Sequence, residues 1–313
     1  MSQAHAIDYR TVPQKNRLDT PAARRAVCFS ERDFLGAALP PAIEKVLPAA
    51  VRTERDGLLD FSDQLGVPWP ATLPTLLSGT RDLAAAGTQT LGEGAGAVIL
   101  LILSGAGELT VHGETVELAT GDIACVPGSQ GARVVAGTDG IRYFHVDDSP
   151  AARYAGWQVT PDERTPFTHY PAELLSAKLD EYEQMGITAS GVFLSNENLT
   201  QEKLATPILF AHLNRLLPGA ANTVHSHTAA ALTYVIQGGN NCYSLLGPGL
   251  GDDRAIVDPI RVEWEDGQVS LTPPILWHGH FNQGDETILS LVIQLSGFYY
   301  NDRTMNFRLA DRT

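Results

Sequence analysis

The chain has 313 residues, 43% of them hydrophobic, with 29 glycines and 19 prolines: enough apolar material for two modest cores, in a composition that suits short strands and tight turns. A formal charge of −14 would repel nucleic acid and anionic membrane surfaces, so neither is expected as a partner. No apolar run approaches the roughly 18 residues of a membrane span, the opening residues lack a signal-peptide core, and Cys28, Cys125 and Cys242 form no close-spaced pair, so a cytoplasmic protein whose partners are small molecules or proteins is expected.

Residues 1–75 read as a proline-rich arm with one helix around 41–47 and no chemical signal. Residues 76–157 read as a first barrel, in which short apolar runs are separated by glycine turns such as Ser104-Gly-Ala-Gly. The apolar run 97–103 is strand-sized, the alternation over 108–112 is that of a strand with one buried face, and Cys125 is core filler. Residues 158–195 form a linker, because apolar residues at helical spacing over 172–182 predict a helix there. Over 196–313 the strand-and-turn pattern returns. Thr120-Gly-Asp-Ile-Ala-Cys-Val-Pro parallels Asp266-Gly-Gln-Val-Ser-Leu-Thr-Pro, a weak internal repeat that predicts a second, related barrel.

Two tripeptides in this last segment carry chemistry. His225-Ser-His227 and His278-Gly-His280 each place two imidazoles on one face of a strand, where side chains repeat every second residue. Neutral imidazole suits Fe, Zn, Cu, Ni and Mn, and three such ligands leave coordination positions open. His5, His112, His145, His169 and His212 have no such partner and read as surface or hydrogen-bonded core residues. Arg215, Arg261 and Arg303 read as surface salt-bridge residues. The aromatic-rich stretch from Tyr299 to Phe307 is expected to close the barrel, over one end of it or against a partner subunit.

These segments resemble the cupin superfamily. Its first motif is met by Gly219, His225, His227 and Gly238, and its second by Gly267, Pro273, His278 and Asn282, with Pro274 and Ile275 in the remaining Pro-x-Gly positions. The glutamate that many cupins add as a ligand is here Ala231 or Leu232. Within the superfamily the chain is similar to the gentisate and salicylate 1,2-dioxygenase group, bicupin enzymes that cleave aromatic rings with O₂ using Fe(II) on three histidines. The resemblance implies a mainly β chain of two jelly-roll-type cupin barrels with a few flanking helices. It implies Fe(II), with Mn, Ni, Zn or Cu as alternatives, on His225, His227 and His278, and His280 as the catalytic group beside the substrate. Thr233, Tyr234, Trp277 and Phe281 would contact a hydroxylated aromatic substrate, cleaved in the extradiol manner, and the first barrel would be metal-free. Two departures bear on the substrate: the arginine that grips a carboxylate in that group is Thr233, and the group's metal lies in the N-terminal barrel. Two other functions use the same fold: a non-oxidative lyase, isomerase or decarboxylase, and a non-catalytic small-molecule binder. A homodimer or homotetramer is expected.

Overall fold

The computed structural model describes residues 21–28, 30, 50–53, 56–128, 131–160 and 163–312. The helix expected over 41–47, and His5, lie outside them. Residues 1–40 and 41–313 form separate compact units. In the first, Pro21–Arg24 is a single helical turn.

The larger unit is built from three antiparallel sheets. An eight-stranded sheet makes up the first barrel, dominated by two long neighbouring strands, Ala97–Val111 and Ala132–Asp147. The second barrel has a six-stranded sheet, in which Ala231–Gln237 lies between Gln268–Thr272 and Ile288–Leu295, and a five-stranded sheet centred on Trp277–Asn282. The sheets do not close into hydrogen-bonded cylinders, so the jelly-roll is a sandwich in this chain. No helix among the described residues is long and apolar enough to cross a membrane.

The unbroken apolar run at the start of Ala97–Val111 follows from burial on both faces. Val98, Leu100 and Ile102 fill the interior of the first barrel together with Val126, Val134 and Tyr143. The alternate residues, Ala97, Ile99 and Leu101, join a second core with Phe144, Leu213, Leu232, Tyr234, Leu271 and Ile293. That core is shared by the two barrels, and at about 1.5–3 kcal/mol for each fully buried large aliphatic side chain it welds them firmly.

The internal repeat is present in the strand register. Leu100 pairs with Ala124 and His145 in the first barrel as Thr233 pairs with Ser270 and Val292 in the second. Each ladder then slips at the corresponding point, between Ile102 and Ser104 and between Val235 and Gln237. Gly121 and Gly267, at the corresponding turns, both have positive φ, a conformation that favours glycine.

The linker helix expected over 172–182 is Ala172–Gln184. Its start is tied to the first barrel, because Ala172 N–H donates to Asp122 Oδ1 at 2.9 Å while Asp122 Oδ2 bonds His169 Nε2 at 3.0 Å. Arg215 pairs with Asp180 and Glu183 of this helix, and Arg261 with Glu263. Arg303 instead donates to the Tyr300 carbonyl. Cys125 and Cys242 are buried free thiols, and Cys28 is exposed.

Candidate metal centre

The strand His225–Ser226 is the direct neighbour of Trp277–Asn282, with His225 opposite His278, so strand pairing brings the two tripeptides together. The ligand-capable nitrogens of His225, His227 and His278 all lie within 4.8 Å of one another, the one such group among the described residues. Each ring has its Nδ1 against a main-chain carbonyl: His225 to Thr223 at 2.7 Å, His227 to Ala229 at 2.7 Å, and His278 to Leu276 at 2.9 Å. A carbonyl can only accept, so each Nδ1 carries the proton and each Nε2 keeps a bare lone pair. That is the tautomer a metal needs, fixed before any metal arrives.

Burial completes the preparation. It holds His225 below its ordinary pKa, pushes His227 down to about 4, and drives His278 well down, with the neighbouring imidazoles adding to the last two. All three are neutral at pH 7, so a metal has no proton to displace. The neutral nitrogen donors, the locked tautomers and the convergence of three rings fit a divalent transition metal.

His280 faces the same interior, its ring centre 5.8 Å from that of His278 and 6.3 Å from that of His225. Ser244 Oγ lies 2.8 Å from His280 Nδ1 and accepts from Trp264 Nε1 at 2.8 Å. Ser244 has one proton and two lone pairs, so after accepting from Trp264 it can either donate to Nδ1 or accept from it, and the contact holds the ring in place in either tautomer. For a catalytic imidazole, titration near neutrality is the usual expectation. Burial corrects this, pushing His280 to about 3 and keeping it neutral.

The expected substrate contacts separate by strand face. Thr233 is buried, in register with Ser270 and Val292. Tyr234, one residue on, points the other way into the core shared with the first barrel, where its ring stacks on Phe144 at 4.2 Å. Trp277 and Phe281 alternate with His278 and His280, so they lie on the outer face of their sheet. Trp277 packs with Ile256 and Ala310, and Phe281 stacks on Tyr243, whose ring carries Arg261. These three aromatics stand apart from the histidines.

Other residues do meet the histidines. Gln294, in the strand Ile288–Leu295, brings its Nε2 to 3.4 Å from His227 Nε2. Phe307 lies nearly parallel over the His225 and His227 rings, with centre distances of 5.2 and 6.1 Å. It is held there because Arg308–Leu309 pairs with His225–Ser226 and Thr228 N–H donates to the Met305 carbonyl. His212, read as an ordinary histidine, is near enough to the triad to be lowered by His225 and His227, after the larger effect of burial. Its Nδ1 is buried without a hydrogen-bond partner, as is that of His145 in the first barrel. Gln294 and His212 stand out in the sequence as polar residues inside apolar runs. Phe307 ends the aromatic-rich stretch expected to close the barrel, and long-range pairing sets its place over the ligand rings.

Ile275 occupies the glycine position of the second cupin motif and has φ +66, a left-handed conformation that is unfavourable for a β-branched residue. Its N–H donates to the His227 carbonyl at 2.8 Å, so the turn is anchored to a ligand. The side chain is 58% exposed and packs little. Ile275→Gly is therefore expected to raise stability by about 0.5–1 kcal/mol in denaturant unfolding. A loss of stability would show that this strain is absent.

The buried histidines also set a pH dependence. Burial pushes both His145 and His212 down to about 4, below the roughly 6.5 of an unfolded histidine. As pH falls the unfolded chain takes up protons first, so metal-free protein loses stability from about pH 6.5 towards 4. Thermal midpoints between pH 7 and 4.5 should decline progressively, and a flat profile would contradict these assignments.

No family model matches the chain. Gentisate 1,2 dioxygenase 1 of Aquipseudomonas alcaligenes is 32% identical over 98 residues, 31% of this chain and 25% of that protein. A 5-aminosalicylate 1,2-dioxygenase of a Comamonas species is 24% identical over 140 residues, 44% of this chain and 34% of that one. The matched segments thus span about a quarter to a third of these relatives. Among solved structures, the salicylate 1,2-dioxygenase of Pseudaminobacter salicylatoxidans superposes with a TM-score of 0.64 at 14% identity, covering 80% of this chain and 79% of that one. A variant of it in complex with gentisate gives 0.68, covering 97% and 99%. The fold is that of the gentisate/salicylate dioxygenase-like cupins. In this chain the histidine triad sits in the second barrel.

Proposed function

We propose that this cupin is an Fe(II)-dependent dioxygenase that cleaves the ring of a hydroxylated aromatic compound with O₂. The observation that carries the reading is the triad itself, three neutral imidazoles whose Nε2 lone pairs converge because each Nδ1 is committed to a carbonyl. The names of the relatives above, each a 1,2-dioxygenase, support the same chemistry; none speaks for the extradiol label expected from sequence, and the 1,2 ring bond is the one proposed here to break.

His225, His227 and His278 would hold the metal and leave positions open. When bound, iron would supply the electron transfer that lets O₂ react with the ring. The chain's other residues position and shield. His280, in the tautomer with its proton on Nε2, would donate a hydrogen bond to a ring hydroxyl of the substrate. Phe307 offers a flat apolar wall, half exposed, above the ligand rings. Leu216, Val235, Trp264 and Ile288 form an apolar cluster within the same barrel, which helps keep its interior free of bulk water. Residues 76–157 would serve as a metal-free barrel joined through 158–195 to the metal barrel 196–313, in a cytoplasmic homodimer or homotetramer.

The test is ¹⁸O₂ labelling of the products formed by iron-loaded protein from a panel of dihydroxy- and aminohydroxybenzoates and their uncarboxylated counterparts. Two labelled oxygens in a ring-opened product support the proposal. Metal-dependent turnover with no O₂ consumed would replace it with a non-oxidative lyase, isomerase or decarboxylase.

A further inference from the structure

We propose that Gln294 is the fourth protein ligand of the metal centre, through its side-chain oxygen. This rests on the reading of the triad as a metal site and extends it to a residue outside both cupin motifs. Gln294 is 5% exposed, and its amide end lies 3.4 Å from His227 Nε2, the atom whose lone pair faces the metal position. Ligands bonded to one tetrahedral metal at about 2.1 Å stand about 3.4 Å apart, so the amide already occupies a ligand's distance from His227.

Its orientation explains the rest. His227 Nδ1 is committed to the Ala229 carbonyl, so Nε2 can only accept, and the Gln294 NH₂ is the group that faces it. The amide oxygen is left buried with no partner. A metal would take the His227 lone pair and remove the reason for that orientation. A half-turn about the terminal torsion exchanges the two amide atoms and would put the oxygen on the side of the carboxamide that faces His227 Nε2.

The neighbouring strand supplies an independent argument. Gln294 is directly opposite Ala231, one of the two residues at the position where the cupin motif carries its glutamate ligand. Alanine leaves space there, and the carboxamide facing it from the next strand can reach into it. The site then keeps an oxygen donor while losing the carboxylate charge, and the metal retains its full double charge for an anionic substrate or oxygen species.

Co(II) titration of metal-free protein, read by visible absorption, tests this without turnover. Gln294→Leu should weaken Co(II) binding about tenfold or more and shift the d–d bands, because an oxygen ligand is replaced by water or by nothing. Gln294→Glu, which keeps the oxygen and adds charge, should bind at least as tightly as the natural protein, with bands displaced from both. An affinity within about twofold of the natural protein and unchanged bands in Gln294→Leu would overturn the proposal. If that variant fails to fold, Gln294→Glu decides alone: unchanged bands and affinity overturn it. Failure of the natural protein to bind Co(II) would sink the metal reading itself, a result distinguishable from binding that ignores Gln294.

Discussion

His227→Ala is expected to abolish O₂ uptake and to weaken metal binding by more than about 100-fold, the upper range for residues that merely support ligands. The variant should stay folded. His227 supplies one of three nitrogens that converge within 4.8 Å, and removing it leaves two imidazoles and at most the neutral Gln294 carboxamide, a much weaker donor set for a divalent ion. It also frees the Ala229 carbonyl and the Gln294 amide, both of which a water in the vacated space can satisfy. Metal content after dialysis and far-ultraviolet circular dichroism are the measurements. An intact metal load in the variant would contradict the assignment of the triad.

Phe144→Ala should have the opposite signature: about 3–5 kcal/mol of lost stability with metal affinity unchanged. Phe144 is fully buried in the core shared by the barrels, and its ring stacks on Tyr234 at 4.2 Å with 26° between planes. Truncation removes both the buried area and the aromatic contact, the latter contributing roughly 0.5–1.5 kcal/mol beyond burial. Tyr234 lies on the face of its strand opposite the neighbouring inward residue Thr233, so damage to this layer need not reach the histidines. Denaturant unfolding and metal titration on the same preparation separate the two effects. A large loss of metal affinity would show that the shared core and the site are coupled.

The chemistry was more legible in the sequence than its surroundings. Two His-x-His tripeptides on strands carry their own geometry, because a period of two places both rings on one face, and the helix at Ala172–Gln184 shows in its apolar spacing. The same period, applied to His278 and His280, already sends Trp277 and Phe281 to the outer face. Tyr234 was harder. Its strand is buried on both sides, one against the barrel interior and one against the shared core, so hydrophobicity does not alternate and cannot say which of Thr233 and Tyr234 faces inward. Gln294 and Phe307 were legible only in part, as a polar residue inside an apolar run and as the end of an aromatic-rich stretch: each reaches the triad through strand pairing across many residues, His225 with Leu309 and Ala231 with Gln294, and such registers are not written in any local pattern.

Anaerobic titration of Fe(II) into protein stripped of metal with a chelator shows whether the second barrel binds one metal on this triad. One site per chain, lost in His278→Ala, is expected; no saturable binding, or a site that survives the loss of His278, would rule out the triad as the metal centre.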